Sequence, residues 1–169
     1  MKYFLNFFLI VILPFHVHSQ DTTVLKQQVA MMAGALLKGN YYAVVDNTYP
    51  RAVMAYGGRQ QMVKTLNNAA EKMKSQGMTL TNAIIGSPGS FFNTATSIQC
   101  LVPESLIIKT DNLHMVKHTW LLAISADNGK RWYFIDLNAY SMKNMHTIVP
   151  DLSPNITLPA PEKPGYFSN

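Results

Sequence analysis

Three polar side chains stand among apolar neighbours in the second half of the chain. They are Glu104 in Cys100-Leu101-Val102-Pro103-Glu104, His118 in Val116-Lys117-His118-Thr119-Trp120, and Asp136 in Trp132-Tyr133-Phe134-Ile135-Asp136. A carboxyl group shielded from water resists ionisation, and beside an imidazole it can hold or move a proton near neutral pH. The chemistry suggested is proton transfer, with His118 as base or acid, Glu104 orienting it and Asp136 as a second acid. The competing reading, which is preferred, places Glu104 and Asp136 near strand ends in contact with water and leaves His118 a satisfied, half-buried histidine. His114 and His118 are i, i+4; on a strand they stand ~13 Å apart, too far to share an ion. His146 is alone in its segment, so no metal site is expected. No nucleophile elbow, phosphate loop or dinucleotide fingerprint occurs, and no cofactor is expected.

The stretch Ser125-Ala126-Asp127-Asn128-Gly129-Lys130-Arg131-Trp132 matches the pattern S-x-D-x-G-x-x-W. It resembles the Asp-box hairpins of sialidases and other secreted β proteins. The resemblance implies a structural device in which Asp127 accepts backbone hydrogen bonds across the turn, Gly129 supplies a positive φ and Trp132 packs inward. A single copy in 169 residues makes no propeller, so a sialidase is not implied.

The elements that must hold these residues follow from periodicity. Leu25, Val29, Met32 and Leu36 form one helical stripe, which Asp21 or Thr22 can cap and Gly39 can end. Tyr41 to Asn47 makes a short second helix. Pro50, whose φ suits a first helical turn, opens a third that runs to Tyr56 and breaks at Gly57-Gly58. Met62, Leu66, Ala69 and Met73 stripe a fourth, capped by Gly77. Beyond Gly77 the period becomes two. A strand over 78–85, a Gly86-Ser87-Pro88-Gly89 turn and strands over 92–110, 113–126 and 130–138 are predicted. Ser141 can cap a last short helix that ends before Pro150. Pro154, Pro159, Pro161 and Pro164 keep the tail extended. Helices first and antiparallel strands after, without alternation, predict an α+β fold with helices on one face of a sheet.

Parity assigns the faces. Cys100, Val102, Glu104, Leu106 and Ile108 share one side of their strand. Val116, His118, Trp120, Leu122 and Ile124 share a side of the next, and Trp132, Phe134 and Asp136 a side of the last. Turn length decides whether these sides coincide. A three-residue loop at Asp127-Asn128-Gly129 sets Trp120 opposite Asp136 and gathers both tryptophans on one concave face, the preferred arrangement. A two-residue Asn128-Gly129 turn shifts the parity and sets Trp120 opposite Leu137. If the loop over 110–112 is also three residues long, Glu104 lies opposite His118. The other face then carries Leu101, Ile107, Met115, Leu121, Tyr133, Ile135 and Leu137, too apolar for free solvation. Either the tail or a second subunit must cover it.

With the helix order, the Tyr49-Pro50 and Gly57-Gly58 breaks and the Trp132-Tyr133-Phe134-Ile135-Asp136 strand in view, residues 22–150 resemble the nuclear transport factor 2-like superfamily. Within it they look most like small secreted bacterial members. The resemblance implies a cystatin-like cone, with N-terminal helices packed on the concave face of a curved four-stranded antiparallel sheet, followed here by an extended Pro-rich tail. Relatives commonly dimerise through the outer sheet face, so a homodimer is expected. The superfamily holds isomerases, dehydratases, polyketide cyclases, ligand binders and dimerisation modules, so the likeness fixes no activity. No catalytic set of the family maps residue by residue onto this chain.

Composition bounds the rest. Forty-eight per cent of residues are hydrophobic and 14% charged, with a net charge of +5 and one cysteine. These figures exclude a disulfide-stapled miniprotein, a large multidomain enzyme and a disordered chain. Basic residues are scattered and not interleaved with aromatics, so nucleic acid is not an expected partner. Met1-Lys2, the apolar run to Phe15 and the polar His16 to Gln20 read as a signal peptide cut after Ser19. A spanning helix needs about 20 apolar residues, so no stable membrane insertion is expected after cleavage. The chain divides into signal 1–19, a single domain 20–150 and a tail 151–169, in a secreted or periplasmic protein. Cys100 reads as a buried small apolar residue.

Trp120, Trp132 and Phe134 are expected to wall a pocket whose mouth carries Tyr42, Tyr49 and Arg51. The function expected is a non-catalytic binding module for a small apolar or amphipathic ligand. Two alternatives stand beside it. One is an interaction or dimerisation module with a filled cone. The other is a cofactor-free isomerase, dehydratase or hydrolase using His118 with Glu104 or Asp136. A cavity of roughly 300 Å³ or more containing His118 and a carboxylate would favour binding or catalysis.

Overall fold

A computed structural model describes residues 22–137, 142–157, 159–160 and 162–168. The signal segment 1–19 with its cut after Ser19, the Asp21 and Ser141 caps, Asn138 and Pro161 lie outside the described residues.

Four helices come first. α1 (Thr23–Leu37) buries Leu25, Val29, Met32 and Ala33, the stripe its sequence carries. Thr22 precedes it without a side-chain cap; its carbonyl accepts the Lys26 N–H. Gly39 stops α1 at φ 67°, and Asn40 at once caps α2 (Tyr41–Asp46) by accepting the Ala43 N–H at 3.2 Å. Pro50 opens α3 (Pro50–Ala55). Gly57 and Gly58, at φ 90° and 92°, turn the chain into α4 (Arg59–Ser75). Gly77 ends α4 in the left-handed region, with the Met78 N–H closing on the Met73 carbonyl.

The sheet follows, antiparallel and strongly curled into half a barrel. Its path is β1 (Thr79–Ile85), β3 (Ile98–Lys109), β4 (Leu113–Ser125) and β5 (Tyr133–Asp136). Two short strands are added to the expected four. β2 (Phe92–Asn93) pairs back on β3, and β6 (Gly165–Ser168) lies along β4. The single strand expected over 92–110 is therefore interrupted. Thr94 is the cause: its hydroxyl accepts the Ser97 N–H, while its N–H and hydroxyl reach the Ser97 carbonyl, and the chain turns.

The tail does more than extend. α5 (Met142–Ile148) and the segment after it place Met145, Ile148, Val149, Leu152 and Ile156 over Leu122, Ile124 and Ile135. Asp151 fastens that segment, its Oδ2 accepting the hydroxyls of Thr94, Thr96 and Ser97 at 2.7, 2.5 and 2.8 Å. The sheet therefore has a core on each side. On the helical side Leu25, Val29 and Met32 meet Cys100, Val102, Leu121, Ala123, Trp132 and Phe134.

Register corrects the expected faces. β3 and β4 are joined by a two-residue turn, Asp111-Asn112, with Thr110 N–H on the Leu113 carbonyl at 2.8 Å. Glu104 accordingly stands opposite Thr119, and His118 opposite Ser105. Between β4 and β5, Asn128 and Gly129 both take positive φ, 59° and 86°. That is the two-residue turn set aside in favour of a three-residue loop, and it leaves Leu121 opposite Asp136. Both slips act on β4. Thr119, Leu121 and Ala123 face the helices; His118, Trp120, Leu122 and Ile124 face away. Trp132 does point to the helical side, so the two indoles lie on opposite sides of the sheet. Met115 and Leu121 likewise leave the outer set, while Leu101, Ile135 and Leu137 remain in it beneath the C-terminal cover.

Gly86 gives a check on this packing. Its N–H bonds the Pro103 carbonyl at 2.8 Å, and an added Cβ would sit 2.5 Å from Pro103 Cγ. Gly86→Ala should lower unfolding stability by about 1–3 kcal/mol in urea titration, whereas Gly34→Ala, where a Cβ meets nothing within 4 Å, should not.

Candidate functional site

The helical face is not filled throughout. Between α1, α2 and α4 on one side and β3, β4 and β5 on the other lies a cavity of about 200 Å³. Met32, Ala33 and Leu36 of α1 and Met62, Thr65 and Leu66 of α4 bound it, because the stripes that fold these helices turn towards the sheet. The sheet contributes Leu106, Leu121 and Phe134, and with them Glu104 and Asp136.

Glu104 reaches this position by parity alone. It occupies the side of β3 that also carries Cys100 and Val102, one step nearer the cavity. The residue is 5% exposed, and among the described residues its carboxyl has no hydrogen-bond partner. Burial pushes that carboxyl up to about 7, the nearby Asp136 charge adds to the effect, and Lys117 opposes it. Asp136 sits at the more exposed rim, where its Oδ1 accepts the Thr119 hydroxyl at 3.1 Å. The pair is thus asymmetric: a buried acid that titrates near neutrality beside a carboxylate held by a hydroxyl.

Of the residues expected at the site, Glu104, Asp136 and Phe134 line the cavity. His118 does not. It is exposed on the far side of the sheet, its Nδ1 2.8 Å from the Ser105 hydroxyl. The proposed orientation of His118 by Glu104 is thereby removed, because the two side chains project from opposite faces. Trp120 pairs with Pro103 on that same far side. Trp132 is fully buried in the helical core rather than at a pocket wall. Tyr42 is half exposed beneath the Arg59 guanidinium, 4.6 Å from its ring centre, while Arg59 itself is paired with Asp46 at 2.7 Å. Tyr49 packs with the outer core, and Arg51 points to the Thr147 carbonyl at 3.5 Å. Neither residue forms the mouth. Tyr56, Thr48 and Thr65 line the cavity instead, and Thr119 donates its hydroxyl to Asp136 Oδ1. One local signal in the sequence would have found Thr119: the Asn-Gly dipeptide, which prefers the two-residue turn.

The Asp-box hairpin has the geometry its pattern implies. Asp127 Oδ1 accepts the Ser125 hydroxyl and the Arg131 N–H, both at 2.9 Å, and these bonds hold its carboxyl below the ordinary range. The Ser125 hydroxyl accepts the Gly129 N–H at 2.8 Å, and the Trp132 indole donates to the Gly129 carbonyl at 3.1 Å. The Ser125 hydroxyl, Asp127 Oδ1 and the Trp132 indole N–H are thus engaged in shaping the turn, while the Arg131 guanidinium reaches out to the Asp46 carbonyl and Asn47 Oδ1.

Cys100 is buried and its thiol is pushed up to about 12 by that burial. A thiolate is the reactive form, so Cys100 should be inert to an aromatic disulfide reagent in the native protein at pH 8 and react once on unfolding in urea. Stoichiometric labelling of the folded chain would contradict this burial. Among the described residues no group of three or more His, Cys, Asp or Glu is placed to hold a metal ion.

No family model, curated protein or solved structure matches the chain.

Proposed function

We propose that the protein is a non-catalytic ligand-binding module, secreted or periplasmic, built as a cystatin-like cone of the nuclear transport factor 2-like kind. Its pocket takes one small apolar or amphipathic molecule. The cavity is smaller than the roughly 300 Å³ expected and lacks His118; what carries the reading is that its 200 Å³ are apolar, with the Glu104 carboxyl in the wall. An apolar void of about 150 Å³ already accepts benzene, so this one has room for a monocyclic ligand with a polar substituent. A carboxyl without a partner is an expensive way to finish a core and a useful way to finish a binding site.

Benzyl alcohol is a suitable probe. It should raise the melting temperature of the wild type and receive saturation transfer from the protein methyl groups. Thr65→Trp, which fills the rim from an exposed helical position, should abolish both effects without lowering the melting temperature of the free protein. Absence of both effects in the wild type would remove the reading.

A cofactor-free acid–base enzyme is the second reading. It is favoured by Glu104 titrating near neutrality, where a carboxyl can both give and take a proton. Deuterium exchange into the α-carbons of cyclohexanone, fast with the wild type and absent with Glu104→Gln, would select it.

A homodimer belongs to the same proposal. It would use the end of the outer face that α5 leaves uncovered, where Ile84 is 51% exposed. Sedimentation at tens of micromolar should give the dimer mass; a monomer removes this part.

A further inference from the structure

We propose that the outer edge of β4 over Leu113 to Val116 is a strand-docking site whose partner is the β6 tail of a second copy of this chain, the two copies exchanging tails reciprocally. The proposal is independent of the cavity and of the outer sheet face.

One side of β4 is fully used, since β3 pairs with it from Ser125 down to His114. On the other side β5 reaches only Leu121 to Ile124. An uncovered strand edge is a template for a further strand, and β6 fills the far end of this one. Gly165 lies opposite Val116, Tyr166 opposite Met115, Phe167 opposite His114 and Ser168 opposite Leu113. Beyond the backbone ladder the seat has one side-chain feature. The Phe167 ring stacks on the His114 imidazole, with centroids 5.0 Å apart and planes within 7°. The edge therefore takes an extended peptide with an aromatic residue two places after a glycine.

β6 is lightly held there. All four of its residues are exposed, Tyr166 at 64% and Phe167 at 47%, and neither ring enters either buried core. His114 Nδ1 is buried without a hydrogen-bond partner among the described residues, so the seat carries an unmet polar atom. An element with so little buried surface opens locally well before the domain unfolds.

Exchange preserves every pairing just named, so the tether decides whether the tail serves its own chain or a neighbour. Ile156 belongs to the cover over Leu122 and Ile124, whereas Gly165 pairs with Val116, six to eight residues farther down β4. That is about 20–26 Å along a strand. Nine steps of chain cross the gap, about 30 Å at full stretch. Prolines at 159, 161 and 164 restrict how those steps can turn. A tether with so little slack gains little by keeping its own tail close. β6 also runs on in the direction the tether takes, so the tail enters a neighbour's edge without a reversal. Two such contacts about a two-fold axis close the assembly at a dimer.

Met115 and Tyr166 are directly opposed, a placement from which a disulfide can close, and both lie outside the two cores, so substitution there should leave the melting temperature nearly unchanged. Isotope-labelled mature chains carrying Met115→Cys are mixed with unlabelled chains carrying Tyr166→Cys in a glutathione redox buffer at about 0.1 mM, below the millimolar effective concentration of a short flexible tether. Mass spectrometry then weighs the disulfide-linked dimers. The bridge between the two variants should exceed the bridge of either variant to itself at least tenfold. Both substitutions in one dilute chain should close an internal bridge, which establishes the seat in solution. An internal bridge with no bridge between chains in the mixture means that each tail serves its own chain, and overturns the exchange. A Met115→Cys chain that captures the free 162–169 peptide carrying Tyr166→Cys, yet never bridges to a second whole chain, makes the edge a site for separate peptides and also overturns it. Failure of the internal bridge removes the seat and the proposal together. A dimer through the outer sheet face alone does not set one copy's Tyr166 against the other's Met115, so it cannot produce the predicted bridge.

Discussion

Glu104→Gln should make the folded protein more stable by about 3 kcal/mol at pH 8 and leave it nearly unchanged at pH 4. The reason is the direction in which burial moves this acid. In the unfolded chain Glu104 ionises at its ordinary value of 4.5; in the folded chain it does so at about 7. Between those values the folded state binds the proton that the unfolded state has released. Stability therefore falls as pH rises across that window, is free of the penalty below 4.5 and carries it in full above 7. The interval, at 1.36 kcal/mol per pH unit, comes to about 3 kcal/mol. Glu104 is 5% exposed, so solvent screening discounts little of it. Glutamine keeps the shape and removes the charge. Urea titrations from pH 4 to pH 8 should show the wild-type free energy declining through this window, with the Gln variant lacking that decline. Parallel curves for the two proteins would mean that the carboxyl is hydrated, and the cavity argument would lose its polar anchor.

Trp132→Ala should cost about 3–5 kcal/mol, the range of large aromatic deletions in a closed core. The indole is fully buried among Leu25, Val29, Val102 and Phe134 and lies 5.9 Å from the Phe91 ring. Its backbone N–H is held by Gln28 Oε1 at 2.7 Å, and its Nε1 by the Gly129 carbonyl at 3.1 Å. Truncation opens a void where α1 meets the hairpin and strands the Gly129 carbonyl. Trp132→Phe retains most of the volume but not the indole bond, and should lose roughly half as much. Chemical denaturation of the three proteins gives the comparison. A loss below about 1 kcal/mol for the alanine variant would show that the Asp-box turn does not seat its tryptophan in the core.

Much of this architecture is written in residue types. Leu25, Val29 and Met32 at helical spacing, Pro50 at a first turn and the glycines at 39, 57 and 77 each mark a boundary where the structure has one. The candidate site was legible in part for a different reason. Glu104 and Asp136 are conspicuous because acids are rare in apolar strands. Their neighbours were not legible, because parity across a hairpin depends on a single residue of turn length. Asp111-Asn112 and Asn128-Gly129 each close with two residues, and each choice turned β4 over, exchanging Thr119 and Leu121 for His118 and Trp120. The C-terminal cover was hidden by its prolines, which argue against helix and interior strand but say nothing about an edge. β6 uses the four residues after Pro164 to pair with Leu113 to Val116, where no central ladder is required of it.

The Gln28 bond to Trp132 spans 104 positions of sequence. α1 packs on the neighbouring α2, but the buried core its stripe completes lies on β3, β4 and the Trp132 turn, made long after it. A ribosome or translocon that delivers this chain from its amino end releases the first helix with only α2 to lie against, and a seam that distant closes slowly. The growing polypeptide must therefore stay extended or guarded until its last third emerges. Acquisition of the native state is then an event of the finished molecule rather than of its synthesis.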